Sequence, residues 1–193
     1  MTKPPLSDKA DAVRFMGHME ALFGKKAVIR KVGGEDGRPR VWCFIWRDLP
    51  EPGFTTGVTY GLSEAEHPAW KLGRPELLVS LKTEREDWAF CAAYFASTFW
   101  GEKKFSYGDL FTLDEPITEG SAMSGFVVFG PSLLDRAQAK VELDRCTVNI
   151  VGMHPIYAGE AALIQSKGFD AWWGSLSQDG IYEVDRPDVS VER

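Results

Sequence analysis

At 193 residues, 44% of them hydrophobic and 26% charged, the chain has globular composition and the length for one domain with a sizeable core. Its net charge of −6 argues against a general nucleic-acid binder, which needs a basic surface to displace counterions. No apolar run approaches the ~20 residues of a membrane span, and residues 1–9 lack the apolar core of a signal peptide.

In chain order, residues 1–6 read as a flexible tail discouraged from regular structure by Pro4 and Pro5. Ser7 is placed to cap a helix carrying Ala10, Val13, Phe15, Met16, Met19, Leu22 and Phe23 and ending at Gly24. Residues 27–32 and 40–47 predict two strands joined by the turn-rich stretch Gly33-Gly34-Glu35-Asp36-Gly37. The second of them is apolar on both faces and reads as a central strand. Further strands are predicted over 55–62 and 76–81, with the loop 63–75 between them. Thr83 followed by Glu86 has the pattern of a capping box, opening a helix rich in Ala and aromatic residues that stops at Gly101. Beyond the turn Tyr107-Gly108-Asp109 and the irregular Asp114-Glu115-Pro116, strands are predicted over 125–129, 139–143 and 147–153. A helix over 157–167 capped by Gly168, and a shorter one through Phe169, Trp172 and Trp173, complete the series. Helix, strands, helix, strands, helix makes an α+β domain, with helices packed on a mixed, mostly antiparallel sheet.

The residues that carry chemistry do not assemble into a recognisable catalytic motif. His18, His67 and His154 stand at no metal-ligand spacing from one another or from a cysteine. Cys43, Cys91 and Cys146 form no CxxC pair and sit among apolar residues, which predicts free thiols, a reducing compartment and a cytoplasmic location. No Gly-x-Ser-x-Gly elbow and no phosphate-cradling loop is present. Asp109, Glu160, Asp185 and Asp188 lie near turns and leave an acid–base pair open, with the capping of backbone amides as the plainer role. No cofactor and no metal are therefore expected. The charge is uneven: residues 1–40 carry nine Lys/Arg against five Asp/Glu, and the remainder thirteen against twenty-three. An acidic surface of that kind suits a basic protein partner.

The stretches that stand out are Tyr60-Gly61-Leu62-Ser63, Arg74-Pro75-Glu76-Leu77 and Tyr107-Gly108-Asp109, then the run from Ile150 to Tyr157 with Glu160, and the run from Tyr182 to Val189. In this order and spacing the chain resembles the suppressor of fused family, in particular its N-terminal lobe and stand-alone bacterial domains, over about residues 28–189. The resemblance implies a non-enzymatic protein-binding domain. Animal members clamp an extended peptide of a transcription factor between two lobes, and stand-alone bacterial relatives look like immunity proteins that neutralise a toxin. One protein partner is expected on this basis, a basic toxin or an extended peptide, with no nucleic acid and no membrane.

Each motif also has a fold-maintaining reading. Gly61 marks a bulge or close backbone approach, Arg74-Pro75 an extended strand entry, and Gly108 a left-handed turn with Asp109 bonding nearby amides. Glu160 suits the positive end of its helix, and Arg186 is placed to pair with Glu183 or Asp185. The candidate contact residues are Ser63, Glu64, Glu66 and Trp70 in the loop, with Trp70 read as either a contact anchor or a lid over the core. The tail acids Asp179, Glu183, Asp185 and Asp188 form a second candidate. A small hydrolase or transferase with a carboxylate site, and a self-assembling structural subunit, are the alternatives; the oligomeric state stays open.

Overall fold

The computed structural model describes residues 6–35, 37–177 and 179–191; most of the expected N-terminal tail lies outside them. Helix α1 (Leu6–Phe23) precedes strands β1 (Val28–Val32), β2 (Val41–Arg47), β3 (Thr55–Tyr60) and β4 (Arg74–Leu81). Helix α2 (Asp87–Thr98) leads to β5 (Leu110–Thr112), β6 (Gly125–Phe129), β7 (Lys140–Glu142) and β8 (Thr147–Ile156). Helices α3 (Ala158–Lys167) and α4 (Phe169–Trp173) follow.

The strands form one sheet in the order β1-β2-β3-β4-β8-β6-β5, with β7 also pairing β8. Every pair is antiparallel except β4–β8, where Arg74 faces Val148 and Leu78 faces Gly152. The α+β class and the mixed, mostly antiparallel sheet expected from the sequence are the observed ones.

Alternation along the strands divides the core into two faces. Val41, Cys43, Ile45, Leu77, Val79, Leu81, Phe126, Val128, Val151 and Met153 pack under α2. Phe44, Trp46, Val58, Leu78, Val148 and Ile150 face α1, with its Phe15 and Met19. Val127 and Ile156 point the same way as that second set and meet α3 and α4. The sheet is thus sandwiched, with α2 on one side and α1, α3 and α4 on the other. Gly57 allows α2 its close approach: a Cβ there would stand 2.4 Å from that of Ala89.

Several local expectations are corrected. Helix α1 already includes Leu6, so Ser7 lies within its first turn and is not its cap. Val13 is solvent-exposed, and the buried face of α1 carries Asp11 along with Phe15 and Met19. No capping box forms at α2, because the helix begins at Asp87 and Glu86 occupies the N-cap position itself. The Glu86 carboxylate instead takes Arg47 at 2.9 Å and Arg30 at 3.6 Å, tying the first hairpin to the helix. Strand β5 was not expected; it lies between the predicted turn at 107–109 and the irregular stretch at 114–116. Strand β8 runs through Pro155 to Ile156, over a stretch where β6 is its sole strand neighbour.

Candidate functional site

Strand β8 changes neighbours midway. Its beginning pairs β7, ending at Asn149 opposite Lys140, and its later part pairs β6, from Gly152 opposite Phe129. Between these points Ile150 and Val151 lack a full strand partner on that side, although the Ile150 amide still donates to the Ala139 carbonyl at 2.7 Å. The connection from Gly130 to Lys140 swings outward there, and a cleft of about 890 Å³ opens.

Three walls close around this gap. The loop before β4 contributes Trp70 and Leu72, the segment after α2 contributes Lys104 to Tyr107, and the β6–β7 connection contributes Pro131, Leu134 and Arg136. Pro75, Ile150 and Val151 supply lining from the sheet. The Trp70 indole N–H donates to the Lys104 carbonyl at 2.7 Å and bolts the first two walls together. Asn149 Nδ2 donates to the Leu72 carbonyl at 3.3 Å. Gly73, with φ +139°, leaves no room for a Cβ, which would stand 2.3 Å from that amide nitrogen. Leu72 is 89% and Tyr107 60% exposed. Both are large side chains left open to solvent on two of the loops that wall the cleft. Tyr107 is braced by Phe129, 5.1 Å between ring centroids, which stacks on Phe169 at 4.1 Å.

The charge of the cleft opposes that of the whole chain. Lys104, Arg136 and Lys140 line it against a single carboxylate, Asp135. That carboxylate accepts from the Ala137 and Gln138 amides at 2.8 Å, and Lys140 also reaches Glu142 at 2.6 Å. No histidine lines the cleft. Among the described residues, no group of three His, Cys, Asp or Glu side chains is arranged to hold a metal ion.

The loop of the first wall is anchored from within the sheet. Glu76 on β4 is fully buried and accepts four hydrogen bonds: from Thr59 Oγ1 at 2.6 Å, the Gly61 amide at 2.7 Å, the Ser63 amide at 2.9 Å and Ser63 Oγ at 2.7 Å. All four donors are neutral. Burial therefore dominates and pushes its carboxyl above the usual range, although the hydrogen bonds from Ser63, Thr59 and Gly61 pull the other way. Gly61 has φ +130°, and a Cβ there would stand 2.9 Å from the Arg40 carbonyl oxygen; this is the close approach expected of it.

The predicted contact residues separate accordingly. Trp70 lines the cleft and is half-buried against the core, so it serves as a lid as well as a wall. Ser63 is buried and spent on Glu76, which corrects its reading as a surface contact. With Glu64, Asp11, Tyr60 and Arg74 it lines a hollow of about 10 Å³, room for one water. Glu66 is exposed and pairs with Arg74 at 3.6 Å.

None of Asp179, Glu183, Asp185 and Asp188 lines the cleft. Their segment is fastened by Arg186, whose partner is neither Glu183 nor Asp185 but Glu160 on α3, to which Nη1 and Nη2 of the guanidinium both donate. Glu160 also accepts from the Tyr157 amide at 3.2 Å, closing a capping box, and from the Val189 amide at 3.1 Å. Arg186 lies over Tyr157, 5.4 Å from its ring centroid, and reaches the Pro155 carbonyl at 3.2 Å. Asp188 bonds Ser190, while Asp179 and Asp185 face solvent. Leu72 lies within the loop 63–75 that was expected to make contacts and Tyr107 within a motif singled out, but neither was named as a contact residue, and Lys104, Arg136 and Lys140 were not anticipated. A leucine and a tyrosine in otherwise polar loops were the available signal.

The sequence of residues 37–188 matches the model of the suppressor of fused protein (SUFU) family. The chain belongs to that family. No curated protein matches it. Its fold is similar to that of a SUFU homolog from Neisseria gonorrhoeae, with TM-score 0.70 and 16% identity over 96% of this chain and 99% of that one. It is similar as well to the Sufu–Fu complex structure, with TM-score 0.69 and 16% identity, covering 97% of this chain and 93% of that one. Drosophila Suppressor of Fused gives TM-score 0.68 at 12% identity, over 93% of this chain and 51% of the Drosophila one. This SUFU chain thus spans about half of the Drosophila protein.

Proposed function

We propose that this SUFU-family chain is a non-catalytic binding protein that holds an extended segment of a protein partner in the cleft beside β8. The observation that carries the reading is the pairing of exposed Leu72 and Tyr107 on facing walls of an open cleft lined by one carboxylate and no histidine. A deep pocket with converging acids would have favoured a hydrolase or transferase. Family membership supports it, since a related structure is a complex of Sufu with Fu. Lys104, Arg136 and Lys140 favour a segment that carries acidic side chains among apolar ones.

Affinity capture from cells of the source organism, using the full chain and a Leu72→Asp/Tyr107→Asp variant, tests the reading. A partner retained by the first and lost by the second, with unchanged thermal unfolding, is the expected result. Equal retention by both, or turnover of a small molecule without any retained protein, overturns it. A second reading draws on the acidic remainder of the sequence and on solvent-facing Asp179 and Asp185: capture of a basic toxin, as an immunity protein would. In that case retention survives the cleft variant and is lost on Asp179→Lys/Asp185→Lys.

A further inference from the structure

Away from the cleft, the sheet ends on an open edge. Strand β1 is its first strand, and four of its five residues are exposed, including Val28 at 41% and Ile29 at 45%. The opposite edge strand, β5, is three residues long, with Phe111 buried.

Register fixes which backbone groups of β1 are available. In an antiparallel ladder a residue turns its N–H and C=O to the same side, and successive residues turn to opposite sides. The Asp48 amide donates to the Phe54 carbonyl at 2.7 Å, so the mutually bonded β2–β3 pairs are Trp46–Thr56, Phe44–Val58 and Trp42–Tyr60. Val41, Cys43 and Ile45 therefore turn toward β1, bonding Val32, Arg30 and Val28. Ile29 and Lys31 are left with amide and carbonyl directed outward. Arg30 Nη1 lies 3.4 Å from the Ile29 carbonyl oxygen, a long contact that a partner amide can displace.

The charge around this edge selects the occupant. Residues 25–32 contain Lys25, Lys26, Arg30 and Lys31 and no acid, within a chain of net charge −6. Glu20, Glu35 and Glu86 pair with Lys26, Lys31 and Arg30, and Glu86 also pairs with Arg47, which leaves five cations against three acids. We propose that β1 accepts, by strand addition, an extended acidic segment of a protein partner, alternating apolar and carboxylate side chains, that hydrogen-bonds Ile29 and Lys31. Two copies of this chain paired edge to edge would bring like charges together and are disfavoured. The inference is independent of the cleft, which lies on other strands.

The probe is a synthetic peptide alternating valine and glutamate, about six residues long to match a typical strand. Its binding to the full chain is followed by fluorescence anisotropy. Ile29→Pro removes one outward donor at an edge position where proline is tolerated. Saturable binding is expected, weakened about tenfold by Ile29→Pro and comparably by Lys26→Glu/Lys31→Glu, in line with losing one or two hydrogen bonds or charge pairs. Hydrogen exchange at the Ile29 and Lys31 amides should slow on binding, a readout that stands even where a variant folds poorly. No saturation, equal binding of a valine–lysine peptide, or no slowing at those two amides overturns the proposal. So does a single-stranded DNA oligonucleotide that binds as tightly as the peptide and is insensitive to Ile29→Pro, which would mark a polyanion site.

Discussion

Among the described residues two carboxylates, Glu76 and Glu160, are completely buried, and the protein satisfies them in opposite ways. Glu160 meets a guanidinium through two nitrogens and two backbone amides besides, so its charge is matched by charge. Glu76 meets two hydroxyls and two amides, which offer dipoles and no net charge. Both fasten chain that would otherwise be loose: the C-terminal segment in one case, the first wall of the cleft in the other. The difference teaches that a buried acid can serve as a clasp for backbone without a cation, provided enough donors converge on it.

The largest effect should come from breaking the charged clasp. Arg186→Met leaves Glu160 buried without its cation and should cost about 3–5 kcal/mol of unfolding free energy, measured by chemical denaturation. Replacing both partners, as Arg186→Met/Glu160→Leu, should recover much of that loss, because no buried charge then remains. If the double variant is as damaged as the single one, the clasp acts through its amide contacts and not through its charge.

Next comes Glu76→Ala, which orphans the Gly61 and Ser63 amides. Water entering from the hollow beside Ser63 offsets part of the cost, so about 1–3 kcal/mol is expected. Because the same amides fix the first wall, this variant should also raise hydrogen exchange along residues 61–73 ahead of global unfolding.

The smallest effect, and the sharpest, concerns pH. The folded-state pKa of Glu76 lies above its ordinary 4.5, so as pH rises from there the unfolded chain gives up this proton first. The native state is thereby penalised over that window, and the penalty is constant once Glu76 ionises in the folded protein as well. Gln cannot titrate. The stability of Glu76→Gln relative to wild type should therefore climb with increasing pH above 4.5 and then level off, as denaturation curves across the pH range would show. A flat difference would mean that the four donors cancel the burial.

Reading the sequence located most elements because their apolar periodicities are strong, as in Val41–Arg47 or the aromatic α2. Boundaries failed where a tertiary partner set them. Strand β4 begins two residues earlier than expected because Arg74 and Pro75 pair with Val148 and Asn149. Three residues of β5 carry too little pattern to be noticed. The motifs Tyr60–Ser63, Arg74–Leu77, Glu160 and Arg186 did mark places that matter, and Asp109 does bond a nearby amide, that of Ser106, at 2.9 Å. Yet Arg186 was assigned to its sequence neighbours, since nothing local reveals an acid 26 positions earlier. The cleft itself was mostly illegible: Trp70 was visible as a loop aromatic, but its companions converge only through the partner change of β8.

The parallel β4–β8 register also governs how the chain comes together. Each of its bridges spans 74 positions, as from Arg74 to Val148, while the β1–β4 meander is joined by short connections. Emerging from a ribosome, that meander can pair with itself early, yet its flank at β4 stays bare until residues beyond 150 are synthesised. During this interval the exposed flank is open to other chains, so assisted folding or faster translation over residues 82–147 would raise the yield of native protein.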